Sequence, residues 1–135
     1  MDMNPDLPVT VTREVRDRCL CFRAQRAARA LARRFDAAFR PFGITNGQFS
    51  LMMSLNRPEP PTIGEVAPFL VMDRTTLTAA LKPLTRQGLV EIVPDKTDAR
   101  ARRLALTEKG HALLTQALPV WRAEHDAVDR LLLAL

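Results

Sequence analysis

The stretch from Asp73 to Leu106 decides the fold: it reads DRTTLTAALKPL at 73–84, GLVEIV at 88–93 and DKTDARARRLAL at 95–106. Asp73 is a good helix-capping residue, and the leucines after it recur at helical spacing, which predicts a helix that ends at Gly88. Two short apolar runs then flank an arginine-rich turn, which predicts a β-hairpin. A helix with a polar, cationic outer face beside a basic hairpin is the layout of a winged helix-turn-helix.

A long helical pattern precedes this stretch. Neither glycine nor proline occurs from Glu14 to Arg40, and apolar residues recur there every three or four positions. We therefore expect one helix over about 12–42. It is long for a small domain, so we expect part of its apolar face to meet a partner chain.

Further helices flank the predicted winged helix-turn-helix, which we place at about 45–106. Capping-box patterns begin at Thr45 and Thr62, where a hydroxyl residue is followed three positions later by Gln or Glu. The segment 107–135 is apolar at helical spacing, and we expect Pro119 to bend it. The fold class is thus mainly α with a small β-hairpin, in one domain covering residues 1–135.

Composition and charge narrow the function classes. The 135 residues are 47% hydrophobic, enough to build one core, and 20 basic side chains exceed 15 acidic ones. This excess favours a polyanionic partner such as nucleic acid or an acidic membrane surface. No signal-like start and no membrane-spanning run is visible, so we expect a cytoplasmic protein without a membrane partner and with reduced cysteines.

At this point the chain resembles the multiple antibiotic resistance regulator (MarR) family. The resemblance covers roughly residues 12–130 and rests on DRTTLT at 73–78, GLV at 88–90, the wing DKTDARAR at 95–102 and TEKG at 107–110. It implies a homodimeric transcriptional regulator, usually a repressor, whose first and last helices form the dimer interface. It also implies a near-palindromic double-stranded DNA operator and release by a small phenolic or aromatic acid.

One feature departs from the family pattern. Members of the family usually finish with a further helix after a turn, whereas this sequence ends at Leu135. We expect that helix to be short or absent. This leaves open how two copies pair, but it bears less on whether they pair.

The candidate DNA-binding residues lie on the recognition helix and the wing. Short hydroxyls and cations at a helix start suit phosphates and base edges, and a wing arginine suits the minor groove, where Arg100 best matches the family position. We interpret Asp98 as a residue that orients an arginine. The alternatives are simple helix capping and a solvated turn. The set is Arg74, Thr75, Thr76, Thr78, Lys82, Asp98, Arg100 and Arg102.

Cys19 and Cys21 allow two interpretations. Neighbouring arginines would raise the reactivity of a thiol, and the sequence LCF at 20–22 is similar to the start of the organic-hydroperoxide sensors of the family. Those sensors hold the thiolate with tyrosines, however, and this chain contains none. On a continuous helix the two side chains point about 200° apart and could not bridge without unwinding. The other interpretation is that both cysteines are small packing residues.

Aromatic and thioether side chains could line an effector pocket. The candidates are Phe22, Phe49, Met53 and Trp121, and the carboxylate of an aromatic acid would pair with Arg26 or Arg29. The alternative is that the apolar members are ordinary core residues.

Other function classes find less support. The chain has no Cys-x-x-Cys, phosphate loop, zinc-hydrolase motif or nucleophile elbow, so we predict that it is not an enzyme and uses no cofactor. His111 and His125 match no closed zinc motif, and we predict no metal site. A winged helix used for protein contacts or architecture is the remaining alternative, against which the wing arginines argue.

Overall fold

A computed structural model describes residues 3–133, and the chain divides after Arg34 into two compact units. The elements, in order, are α1 (Val9–Arg18), α2 (Leu20–Phe39), a 3₁₀ turn (Arg40–Phe42), α3 (Asn46–Ser54), α4 (Ile63–Phe69), α5 (Arg74–Arg86), β1 (Val90–Pro94), β2 (Arg102–Leu106) and α6 (Glu108–Leu133). The predicted fold class is confirmed: the chain is mainly helical, with one antiparallel hairpin in a winged helix-turn-helix arrangement.

The predicted continuous first helix is interrupted at Cys19. This residue has an extended ψ of 110°, so α1 ends there and α2 begins directly after it. Cysteine is a weak helix former. Because α1 buries none of its side chains, no packing compensates for that weakness. The expected single helix over about 12–42 is therefore wrong.

The helix starts in the second unit follow the capping residues. Thr45 forms a full capping box with Gln48, and Thr62 accepts a hydrogen bond from the backbone N–H of Glu65. At the other end of the unit, Pro119 lies inside α6, which is assigned as one helix from Glu108 to Leu133. The segment 107–135 thus forms one helix as far as Leu133, and within the described residues no further helix follows it, as expected; Leu135 lies outside those residues.

The core of the second unit collects the apolar faces of its helices and the hairpin. Leu77, Leu81 and Leu84 of α5 are buried, as the leucine spacing predicted. They pack in one cluster with Met52 of α3 and Leu104 of β2. The core thereby fixes which side of α5 is left facing solvent.

The turn between α4 and α5 has a strained residue. Val71 has a φ of +55°, in the left-handed region that β-branched side chains rarely adopt, and its side chain is 92% exposed. The Val71 side chain makes no buried contact with the core, so packing does not offset the backbone strain.

The start of α6 is fastened to the end of α5. The Thr107 hydroxyl donates to the Gly88 carbonyl at 2.6 Å, and Lys109 Nζ donates to the Gln87 carbonyl at 2.8 Å. The Thr107 N–H also donates to the Leu89 carbonyl at 3.1 Å. These bonds satisfy the carbonyls of the three residues that directly follow α5. Gly110 faces the same Leu89 carbonyl and leaves no room for a side chain.

Candidate nucleic-acid interface

The recognition helix α5 begins at a well-formed cap. Asp73 Oδ1 accepts a hydrogen bond of 2.7 Å from the Thr76 N–H, and this bond holds the pKa of Asp73 below its ordinary value. With its leucines buried, α5 leaves polar side chains in solvent. Every predicted recognition-helix residue is exposed: Arg74, Thr75, Thr76, Thr78 and Lys82.

These exposed residues do not all point in the same direction. At about 100° per residue, Thr75 and Lys82 lie opposite the buried leucines, so they project furthest from the core. Arg74 and Thr78 lie on one flank of the helix, and Thr76 lies on the other. The residues best placed to reach a base edge are therefore Thr75 and Lys82.

The wing turn is organised by Asp95, which the sequence reasoning did not select. Its carboxylate accepts hydrogen bonds from the Thr97 N–H at 3.2 Å, the Thr97 hydroxyl at 2.9 Å and the Asp98 N–H at 2.9 Å. Arg103 Nε also donates to it. These bonds, with that from Arg103 contributing most, hold the pKa of Asp95 well below its usual range and raise that of Arg103.

Arg103 also ties the wing to the segment before α4. Its Nη1 donates to the Pro60 carbonyl at 2.6 Å, and the Leu104 N–H donates to the Pro61 carbonyl at 2.8 Å. Thr62 pairs with Arg103 as an isolated antiparallel bridge. The hairpin is therefore fixed to the helix-turn-helix at its base, whereas its arginine-rich turn extends outward.

The arginines of that turn are exposed. Asp98 Oδ1 accepts the backbone N–H of Arg100 at 3.0 Å, so it shapes the turn through the backbone; within residues 3–133 it forms no ion pair with an arginine. Arg102 Nη1 donates to the carbonyls of Ala99 and Ala101. The expected orienting role of Asp98 is thus visible only as a backbone contact.

The candidate pocket residues fall into separate groups. Phe49, Met53 and Trp121 line one apolar cavity of about 490 Å³ in the second unit. Two of these residues contact further rings. Phe49 stacks on Phe39 at 4.7 Å and Trp121 contacts His125 at 4.3 Å, both measured between ring centroids.

The remaining pocket candidates lie in the first unit. The Arg26 guanidinium lies 5.6 Å from the Phe22 ring centroid, and Arg29 donates to Gln25. Cys19 is half-buried and Cys21 is exposed, and neither is in a disulfide. Across the described part of the chain, no three His, Cys, Asp or Glu side chains are grouped to hold a metal, and no helix is long and apolar enough to cross a bilayer.

Comparison with known proteins places this geometry in a family. A model described as "Winged helix DNA-binding domain" matches residues 44–110. The solved structure of the M. tuberculosis transcriptional regulator MosR in complex with DNA is 41% identical, with a TM-score of 0.75, over 82% of this chain and 80% of that one.

Curated relatives agree. BadR of Rhodopseudomonas palustris, a transcriptional activatory protein, is 31% identical over 81% of this chain and 65% of its own length. The organic hydroperoxide resistance transcriptional regulator of Bacillus subtilis is 28% identical over 75% of this chain and 69% of its own. The chain thus spans about two thirds of the length of these relatives. Their names are those of regulators rather than enzymes. The chain belongs to the MarR family of winged helix-turn-helix, DNA-binding transcriptional regulators.

Proposed function

We propose that the chain is a cytoplasmic homodimeric repressor that binds a near-palindromic operator through α5 and the wing. The observation that carries the proposal is the exposed cationic and hydroxyl face of α5 beside the exposed wing arginines. In a dimer, two such helices would read half-sites about 10 bp apart or a multiple of that. Thr75, Thr76, Thr78 and Lys82 would contact the major groove, and Arg100 the minor groove.

Exposed apolar side chains of the first unit support a homodimer. Among the described residues, Leu20 is 75% exposed, Val15 51% and Leu31 41%, although these are large hydrophobic side chains. Leu20 and Leu31 lie on the same face of α2, about three turns apart, and exposed apolar side chains that share a face mark an interaction site. We propose that the segments 12–42 and 107–135 pair with a second copy, in the single MarR-type domain expected for residues 1–135. Sedimentation of the wild type and of Leu31→Glu tests this, since the substitution should shift the protein to monomer.

DNA binding is tested by fluorescence anisotropy with a duplex from the upstream region of the gene and with a scrambled duplex, at about 50 and about 200 mM salt. The wild type should prefer the upstream duplex, and its affinity should fall steeply with salt because phosphate contacts release counterions. Arg100→Ala should weaken binding roughly 10-fold, in line with about 1–3 kcal/mol for a specific contact. Intact binding by this variant would remove Arg100 from the contact set, and no DNA binding by the wild type would favour a winged helix used for protein contacts.

We propose two routes of release, and the structure offers a candidate site for each. The apolar cavity at Phe49, Met53 and Trp121 suits the ring of a small phenolic or aromatic-acid effector, but among the described residues its lining contains no cation for a carboxylate. Arg26 and Arg29, the cations expected from the sequence, lie in the first unit. An effector that lowers operator affinity should also change the fluorescence of Trp121, which is the only tryptophan.

The second route is thiol oxidation. A continuous helix would hold the side chains of Cys19 and Cys21 apart. The helix is broken at Cys19, so this obstacle to a disulfide does not apply. A hydroperoxide would convert the two thiols into a disulfide, yielding one alcohol and one water. Peroxide should then release DNA from the wild type with a mass loss of about 2 Da, reversed by a thiol reductant. If Cys19→Ser and Cys21→Ser respond like the wild type, the cysteines are packing residues.

Repression itself needs a transcription assay. Addition of the protein to a reconstituted reaction should lower the transcript from the bound promoter. An increase would instead indicate activation, which is the role in the printed name of BadR.

A further inference from the structure

A cationic cleft lies between the start of α4, the start of α5 and the wing. Its volume is about 260 Å³, and its lining includes Thr62, Gly64 and the arginines Arg74, Arg100 and Arg102. These residues come from three elements far apart in sequence. The cleft therefore exists only because the fold brings the wing beside the two helices.

The charges of this cleft are not balanced from within it. Among the described residues, no acidic side chain lines the cleft, and the side chains of Arg74 and Arg100 make no hydrogen bond. Arg102 uses Nη1 on two wing carbonyls and retains other donors. The nearby Glu65 carboxylate accepts the Thr62 hydroxyl and lies 3.8 Å from Arg57. The cleft is thus suited to an anion from outside the protein.

Arg74 is directed into this cleft by Gly64. A Cβ atom on Gly64 would lie only 3.2 Å from Arg74 Nη2, so the guanidinium rests against the α4 backbone where other residues carry a side chain. The helical position of Arg74 agrees, because it lies on the flank of α5 rather than on its outermost line. Arg74 is therefore poorly placed to reach a base edge.

The position of the cleft suggests which anion it takes. In the proposed complex α5 occupies a major groove and the wing an adjacent minor groove, and a phosphodiester strand always separates two adjacent grooves. We propose that the cleft binds one phosphate of that strand, and that Arg74 is a phosphate-binding residue that reads no base. This inference rests on the proposed function. Arg74 and Arg102 would fix the register of the protein, and Arg100 would extend past the phosphate into the groove.

The test compares Arg74→Gln with Arg57→Gln, which removes the same charge from an exposed position between α3 and α4, outside the proposed DNA-binding and dimer segments. Loss of the phosphate contact should weaken binding about 10-fold on operator and scrambled duplexes alike. It should lower the salt slope by about 1.8, because a homodimer loses one contact in each half-site. Arg57→Gln should change both quantities much less. Loss on the operator alone, with an unchanged slope, would mean that Arg74 reads a base and would overturn the proposal.

A second measurement locates the phosphate. Neutral methylphosphonates replace each operator phosphate in turn, and one position per half-site should weaken the wild type but not Arg74→Gln. Gly64→Ala keeps every charge but displaces the guanidinium by a few tenths of an ångström. We expect it to reduce the penalty at that same position. A penalty that persists undiminished in Arg74→Gln overturns the phosphate assignment. No DNA binding by the wild type would overturn the proposed function together with this inference.

Discussion

Alanine at Gly110 should destabilise the protein, whereas alanine at Gly47 should stabilise it. Both glycines lie in the first turn of a helix, Gly110 in α6 and Gly47 in α3. A Cβ atom on Gly47 would meet only Thr45 Oγ1, at 3.9 Å, which is an ordinary contact. A Cβ atom on Gly110 would instead overlap the Leu89 carbonyl oxygen, with the carbonyl carbon at 3.2 Å. The same substitution thus meets open space at one site and rigid backbone at the other.

The magnitude at Gly110 follows from the bonds around it. The start of α6 must move by about 1 Å to accept the methyl group, and overpacking of this kind costs about 1–3 kcal/mol. The movement also weakens the hydrogen bonds of Thr107 and Lys109 to the end of α5, each contributing about 1 kcal/mol or less. In the opposite direction, replacing glycine by alanine in a helix stabilises the fold by up to about 1 kcal/mol through helix propensity. We expect a net loss of about 2 kcal/mol, against a gain of about 0.5 kcal/mol at Gly47.

Thermal unfolding followed by circular dichroism measures this difference. At roughly 4 °C per kcal/mol for a chain of this size, Gly110→Ala should lower Tm by about 8 °C, and Gly47→Ala should raise it by about 2 °C. The protein concentration must be fixed, because dimerisation would make Tm depend on it. An unchanged or raised Tm for Gly110→Ala would refute the argument that α6 is packed directly on the Leu89 carbonyl.

Substitutions at three further positions test other features. Val71→Gly should stabilise the fold by about 1 kcal/mol, because it relieves a left-handed φ without removing buried surface; a lower urea midpoint would count against the strain. Thr45→Ala should cost about 1 kcal/mol and Thr45→Ser much less, since the capping box needs a hydroxyl; equal urea midpoints for the two would contradict this. The lowered pKa of Asp95 means that its folded carboxyl binds a proton more weakly than the unfolded one, whose ordinary pKa is 3.8. Its contribution is therefore full above about pH 5 and is lost as the pH falls toward the lowered folded pKa, so Asp95→Asn should flatten the acid side of the stability profile. Parallel wild-type and variant profiles would show that the carboxylate contributes nothing.

The periodic features of the fold could be predicted because each depends on residues close in sequence. The leucine spacing of α5, the caps at Asp73 and Thr45, and the stop at Gly88 with its φ of +72° all match the pattern of the chain. The interruption at Cys19 could not be predicted, because no glycine or proline marks it and α1 is determined by weak local preferences alone.

The long-range contacts of the candidate site could not be predicted from the sequence either. Arg103 donates to the carbonyl of Pro60, 43 positions earlier in the chain. The role of Gly64 is apparent only from the Arg74 guanidinium that lies against it. A spacing pattern in the sequence cannot predict a hydrogen bond between a side chain and a carbonyl that is distant along the chain. Asp95 did carry a local signal, since an aspartate followed by Thr97 and Asp98 is a common turn pattern, but its partner Arg103 gave none.

The attachment of α6 to the end of α5 makes the long helix a lever. Its 26 residues extend about 39 Å from the hydrogen bonds at Thr107 and Lys109. A displacement of about 1 Å at the far end corresponds to a rotation of only about 1.5° at the attached end. Conversely, a rotation of about 5° near the recognition helix displaces the far end by roughly 3 Å, more than half of one helical turn. In the proposed homodimer, small changes in how the two copies meet along α6 would therefore reach α5 as fine angular adjustments rather than as a loss of its structure.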